Sequence, residues 1–264
     1  MSDAVLLDVE DGVATLTMNQ PDRMNPVTGP ISEGIENHLD TVEERDDVRC
    51  VVVEGAGGAF SAGGDIQGMK DRLEGEESLD EAVDQLERGL SETMVKLVTC
   101  TYPTVAKVDG PAVGAGANLA IGCDVVLASD SASIGFVFNQ VGLSVDGGTS
   151  YLLPRVVGVN KAKELVFTGE ILGAAEADNL GLFNHVYADE EFEDQAGAMV
   201  DRIAAGPTVA LSRAKRLIQD GIEKNLEQAL HDEAAAQGVV FDSHDHREGV
   251  EAFLEDREPE FEGR

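Results

Sequence analysis

Positive charge is scarce in this 264-residue sequence: 19 Lys and Arg stand against 51 Asp and Glu, a formal net charge of −32. Nucleic acid and anionic membrane surfaces both call for clustered Lys and Arg, so both are poor partners. Long apolar runs are missing as well. None reaches the ~18 to 20 residues that a transmembrane helix needs. Met1-Ser2-Asp3-Ala4 lacks the basic and apolar regions of a signal peptide. The expectation is a soluble, cytoplasmic protein. Cysteine is limited to Cys50, Cys100 and Cys123, widely spaced in apolar contexts with no CxxC or metal spacing. They read as small buried hydrophobes in a reducing compartment. The five histidines are scattered, and His244-Asp245-His246 reads as an exposed polar turn rather than a metal clip.

What is present is enough for a folded chain. Hydrophobic residues make up 42%, and the length suits one large or two small domains with a sizeable core. Acidic residues lie along the whole chain, in Glu43-Glu44-Arg45-Asp46-Asp47, Glu74-Gly75-Glu76-Glu77 and Glu255-Asp256-Arg257-Glu258. An acidic partner-binding tail forms a block at one end. Even dispersal instead suits a halophile, where high salt screens the self-repulsion.

Residues 4–9 and 13–18 are short runs split by Asp11-Gly12, a hairpin pattern. Ile31, Ile35 and Leu39 mark an amphipathic helix over 31–44. Cys50-Val51-Val52-Val53-Glu54-Gly55, residues 105–108, 125–128 and 186–187 read as strands. Helical patterns cover 79–99, 114–122, 160–167, 175–180, 190–205, 208–219 and 223–237. Strands alternating with helices imply an α/β core with a largely parallel sheet. The expected division is an α/β core over residues 1–190 and a helical C-terminal region over 191–264, with no linker between them.

Two glycine-rich segments each follow a strand and lead into a helix: Gly57-Gly58-Ala59-Phe60-Ser61-Ala62-Gly63-Gly64-Asp65-Ile66 and Asp109-Gly110-Pro111-Ala112-Val113-Gly114-Ala115-Gly116-Ala117-Asn118-Leu119. Glycines let backbone approach a ligand, and a helix start offers free N–H groups with partial positive charge. Two such N–H groups converging form an oxyanion hole, which stabilises a thioester oxygen as it becomes an enolate. A dinucleotide site is excluded, because Gly114-Ala115-Gly116 meets Leu119 where GxGxxG needs its third glycine.

With these segments and Ser243-His244-Asp245-His246-Arg247-Glu248-Gly249 in place, the sequence resembles the enoyl-CoA hydratase/isomerase (crotonase) family over nearly its whole length. The resemblance implies an α/β spiral of ββα repeats with a helical C-terminal trimerisation region, assembled as trimers or hexamers. It implies an acyl-CoA substrate, with coenzyme A part of that substrate and no separate cofactor or metal. The oxyanion donors would be the backbone N–H groups of Gly64 and Ala115. Ala62, Asp65 and Ile66 would line the coenzyme A site, and Arg23 would reach its phosphates.

The departures from the family pattern bear on the reaction. Hydratases of the family use two glutamates twenty residues apart; here those places hold Asn118 and Phe138. Asn exchanges no proton near neutral pH, and Phe does nothing with water, so the standard hydratase mechanism is not expected. Asp146, in Val141-Gly142-Leu143-Ser144-Val145-Asp146-Gly147-Gly148-Thr149-Ser150-Tyr151, stands where ring-epoxide and Δ3,Δ2-enoyl-CoA isomerases carry an aspartate. An isomerase needs one base, and a carboxylate beside apolar neighbours suits that task. Two readings of Asp146 stand: the catalytic base, or a cap for the helix through 149–153. Two stand for Asn118, a hydrogen bond to water or substrate, or a satisfied helix residue. Phe136, Phe138 and Tyr151 either shape an acyl or ring pocket or belong to plain core. The favoured function is double-bond isomerisation through a thioester enolate. The alternatives are a hydratase with other acid–base groups, another enolate chemistry such as decarboxylation or thioester hydrolysis, and a non-catalytic acyl-CoA-binding subunit.

Overall fold

A computed structural model describes residues 4–75 and 78–264; Met1–Asp3, and Glu76 and Glu77 of one acidic run, lie outside them. The chain opens with β1 (Val5–Glu10) and β2 (Val13–Met18), paired antiparallel. Asp11 and Gly12 both take positive φ, +49° and +83°. A two-residue hairpin turn of this kind matches the right-handed twist of its strands. Helix α1 (Gly29–Glu43) returns the chain to β3 (Cys50–Gly55), and α2 (Ile66–Leu73), α3 (Leu79–Leu86) and α4 (Glu92–Thr99) lead to β4 (Thr104–Val108). A short π-helical stretch, Glu87–Ser91, joins α3 to α4.

From β4 the chain makes β5 (Pro111–Val113), α5 (Ala115–Gly122), β6 (Val125–Ser129) and β7 (Ser133–Gly135). There follow α6 (Thr149–Val157), α7 (Val159–Thr168), β8 (Ile171–Gly173), α8 (Ala174–Asn179) and β9 (His185–Tyr187). The six-stranded sheet has the order β1-β2-β3-β4-β6-β9, parallel from β2 onward, and β5-β7-β8 form a second sheet. Strand, strand and helix repeat as the chain spirals: β1, β2 and α1, then β4, β5 and α5.

The central strands are apolar on both faces, as a parallel sheet buried on both sides requires. Their period of two divides them cleanly. Val51, Val53, Ala106, Val108, Val126 and Ala128 face the main core. Cys50, Val52, Val105 and Leu127 face the other way, against α9 (Phe192–Ala204). That helix presents Phe192, Ala196, Val200 and Ala204, one residue per turn. Three more helices complete the chain: α10 (Thr208–Gly221), α11 (Leu226–Val240) and α12 (His244–Glu255).

Several elements differ from the sequence expectation. The three-residue strands β5, β7 and β8 are too short to carry a periodic signal. The helix expected over 223–237 runs over 226–240, because Asn225 accepts the Gln228 N–H and starts it there. His244-Asp245-His246 is not an exposed turn. It begins α12, with Ser243 accepting the His246 N–H at 3.1 Å. Asp245 is buried and accepts the Glu262 and Gly263 N–H groups at 2.8 and 2.9 Å, so the chain end folds back over the helix start.

Candidate active site

The two glycine-rich segments lie against each other, backbone to backbone. Ser61 N–H donates to Pro111 O and Val113 N–H to Ser61 O, each at 3.0 Å. A Cβ added to Gly63 would stand 2.6 Å from Val113 O and 3.7 Å from the Gly114 Cα, so only glycine allows this approach. Gly63 and Gly114 both take positive φ, +93° and +52°. Each thereby redirects the chain just before a proposed donor, Gly64 and Ala115 respectively. Neither of those N–H groups has an acceptor among the described residues. Ala115 is the first residue of α5, a helix buried along its whole length, whose N-terminal partial charge adds to that of the N–H.

One turn along α5, Asn118 is fully buried. Its Nδ2 donates to Asp146 O at 2.9 Å, and its Oδ1 accepts from Thr149 Oγ1 at 2.7 Å. The helix that begins at Ala115 is therefore tied to the loop that carries Asp146. The Asp146 side chain does not cap α6: the N-cap position is Gly148, and no side-chain cap is present among the described residues. The Asp146 carboxylate makes no hydrogen bond among the described residues, and its Oδ1 is buried without a partner. Burial pushes this carboxyl above the ordinary aspartate range, since desolvation penalises the charged form.

The remaining expected site residues divide. Arg23 pairs with Asp65 at 2.9 Å, and Asp65 also accepts the Gln67 N–H at the start of α2. Ala62 N–H donates to Met24 O at 2.7 Å, and Ile66 is 61% exposed at the first position of α2. These four sit on or beside the first glycine segment. Phe136 and Phe138 are buried members of the main core, to which Ala115 also belongs. Tyr151 is on the exposed side of α6, with the Arg155 guanidinium 3.4 Å from its ring centroid, and Arg155 also pairs with Glu223.

The glycine-based reading missed Asn25. Buried and at φ +51°, it donates through Nδ2 to Ala56 O and Ala59 O at 2.9 and 2.8 Å, and it accepts the Gln20 N–H at 2.8 Å. Its own carbonyl accepts from Ser61 Oγ at 2.7 Å. This one side chain holds the first glycine segment in its bend. The available signal was Met24-Asn25-Pro26, an Asn before Pro of the kind that marks turns.

Residues 8–264 match the family model described as enoyl-CoA hydratase/isomerase. The chain is 36% identical over 265 residues to a 1,2-epoxyphenylacetyl-CoA isomerase of Escherichia coli, covering all of both chains. It is 35% identical over 258 residues to a Rhodobacter capsulatus protein named "Probable enoyl-CoA hydratase", covering 97% of each. The crystal structure of an enoyl-CoA hydratase from Mycobacterium smegmatis superposes with a TM-score of 0.90 at 33% identity, covering 98% of each chain.

Proposed function

The chain belongs to the enoyl-CoA hydratase/isomerase family, and we propose that within it the protein is an acyl-CoA double-bond isomerase with Asp146 as its single base. The observation that supports this most is the unpartnered Asp146 carboxylate, raised in basicity by burial and joined through Asn118 to the helix that begins at Ala115. In the proposed reaction the Asp146 carboxylate takes a proton from C2 of a 3-enoyl-CoA. The electron pair moves onto the thioester oxygen, which accepts hydrogen bonds from the Gly64 and Ala115 N–H groups. As the dienolate collapses, C4 takes the proton back and the double bond lies between C2 and C3. Every atom and electron is accounted for within the thioester and the carboxyl group, so the step calls for no further cofactor.

Ala62, Asp65, Ile66 and Arg23 are proposed to receive coenzyme A beside the first glycine segment. The working assembly is proposed to be a cytoplasmic homotrimer or hexamer, consistent with the exposed Ile218, Ile222 and Leu226 near the α10–α11 junction and with Phe253 and Leu254 on α12. The 35% identity to the Rhodobacter capsulatus protein favours a second reading, hydration with other acid–base groups.

A paired assay in molar salt distinguishes the two, following 3-enoyl-CoA isomerisation and 2-enoyl-CoA hydration on wild type and Asp146→Asn. The expected result is isomerisation without hydration in wild type and loss of both isomerisation and C2-proton exchange in the variant. Efficient hydration by wild type favours the second reading. Thioester binding without any C2 exchange in heavy water leaves a non-catalytic acyl-CoA-binding subunit.

A further inference from the structure

A carboxylate that serves as a base faces a conflict over how it is held. Hydrogen bonds to its oxygens would fix its position, but they favour the charged form and so lower its basicity. Among the described residues the Asp146 carboxylate has none, and its Oδ1 is buried. Its position must come from its backbone, and there the contacts are dense. Asp146 O accepts two N–H donors, Asn118 Nδ2 at 2.9 Å and Thr149 N at 3.0 Å. Those two bonds set the plane of the peptide that follows the Asp146 Cα.

The orientation of the Asn118 amide is forced by its neighbours. Turned the other way, its Oδ1 would face Asp146 O, acceptor against acceptor, in a site with no exposure to water. Thr149 Oγ1 lies 2.7 Å from Asn118 Oδ1 and 2.9 Å from Asp146 O. Its single hydrogen is best placed on Asn118 Oδ1, because Asp146 O already has two donors. The hydroxyl thus holds the amide, and the amide holds the carbonyl. Gly147 closes the arrangement: at φ +50°, a Cβ there would stand 2.8 Å from both Asn118 Nδ2 and Leu90 Cδ2.

We infer that Asn118 and Thr149 are positioning residues for Asp146, fixing the base relative to the oxyanion donor at Ala115 through its main-chain carbonyl and leaving its carboxylate unbonded. This rests on the reading of Asp146 as the base. It differs from a role for Asn118 in holding water or substrate, since both ends of its side chain are engaged by protein.

The test compares Asn118→Ala, Thr149→Val, Thr149→Ser, the Asn118→Ala/Thr149→Val double variant and Asp146→Asn, reading kcat, KM and C2-proton exchange in heavy water. Misplacement of about 1 Å costs on the order of 100-fold. Asn118→Ala and Thr149→Val are therefore each expected to lower kcat and C2 exchange by roughly 10- to 100-fold with KM little changed. Thr149→Ser retains the hydroxyl and should restore nearly the wild-type rate. Because both groups act through one carbonyl, the double variant should be scarcely slower than the slower single variant. If Asn118→Ala does not fold, the Thr149→Val and Thr149→Ser pair makes the same comparison. Wild-type kcat in Thr149→Val, with Asp146→Asn inactive, overturns the positioning role alone. A raised KM at unchanged kcat overturns it too, since the residues would then be binding substrate. An active Asp146→Asn overturns the base assignment and the positioning role together.

Discussion

Gly63→Ala and Gly58→Ala form a pair that isolates the contact between the two glycine segments. Both glycines take positive φ, +93° and +76°, so either substitution places an L residue in the left-handed region at about 1–2 kcal/mol. Their surroundings differ completely. A Cβ on Gly58 meets nothing within 4 Å, whereas one on Gly63 would stand 2.6 Å from Val113 O, about 0.8 Å inside the 3.4 Å of ordinary contact. The obstacle is backbone and cannot rotate away, so overpacking of about 1–3 kcal/mol is added at Gly63 alone. Relief requires the segments to separate, and the residues that follow the contact are the proposed donors Gly64 and Ala115. Loss of one oxyanion donor costs roughly 100- to 1,000-fold in kcat. The expectation is that Gly58→Ala loses about 1–2 kcal/mol in chemical denaturation with kcat unchanged. Gly63→Ala should lose about 2–5 kcal/mol and at least about 100-fold in kcat of the proposed isomerisation. A folded Gly63→Ala enzyme with wild-type kcat would refute the reasoning, because the contact would then have no bearing on the donors.

Other consequences are open to measurement. Because the folded-state pKa of Asp146 is raised, the folded protein binds that proton more tightly than the unfolded chain does. Stability therefore declines as pH rises from the ordinary aspartate value, about 3.9, to the raised one, and the deficit persists above it. Asp146→Asn should then be at least as stable as wild type at pH 7, with the gap closing on acidification, as denaturation midpoints across pH will show. Asn25→Ala strands the buried Ala59 carbonyl and the half-buried Ala56 carbonyl and Gln20 N–H, and it puts Ala at φ +51°. A loss of about 3–5 kcal/mol in urea unfolding is expected, and a loss below about 1 kcal/mol would show that the hub is dispensable. Burial pushes the Cys50 and Cys100 thiols up to about 12 and raises Cys123 as well. A thiol-specific disulfide reagent should therefore find no reactive thiol in the native protein and three after unfolding.

Much of the fold was legible because its signals are local. The unbroken apolar run Cys50-Val51-Val52-Val53 and the two-residue turn at Asp11-Gly12 carry their instructions in adjacent residues. So does the one-per-turn spacing of Phe192, Ala196, Val200 and Ala204. What local pattern cannot show is pairing at a distance. Strands β5, β7 and β8 are three residues each, and they exist because a neighbouring strand supplies their hydrogen bonds. The start of α12 read as a turn for the same reason: Asp245 is charged, and nothing nearby in sequence announces that the N–H groups of Glu262 and Gly263 will bury it.

The candidate site divides along the same line. Its glycines could be found in sequence because backbone approach leaves a compositional trace, whereas Asn25 leaves almost none, its partners lying up to 36 residues away. Asn118 shows how identity and role come apart. In sequence it stands for a missing carboxylate, and a residue that has lost a proton-transfer group suggests lost chemistry. In three dimensions the relevant property is the N–H that a carboxylate lacks. Donation to Asp146 O needs an amide at that position, and a glutamate there would set acceptor against acceptor in a buried place. The substitution that argues against the two-glutamate mechanism is thus, on the proposed reading, the one that lets a lone aspartate be held by its main chain and remain basic.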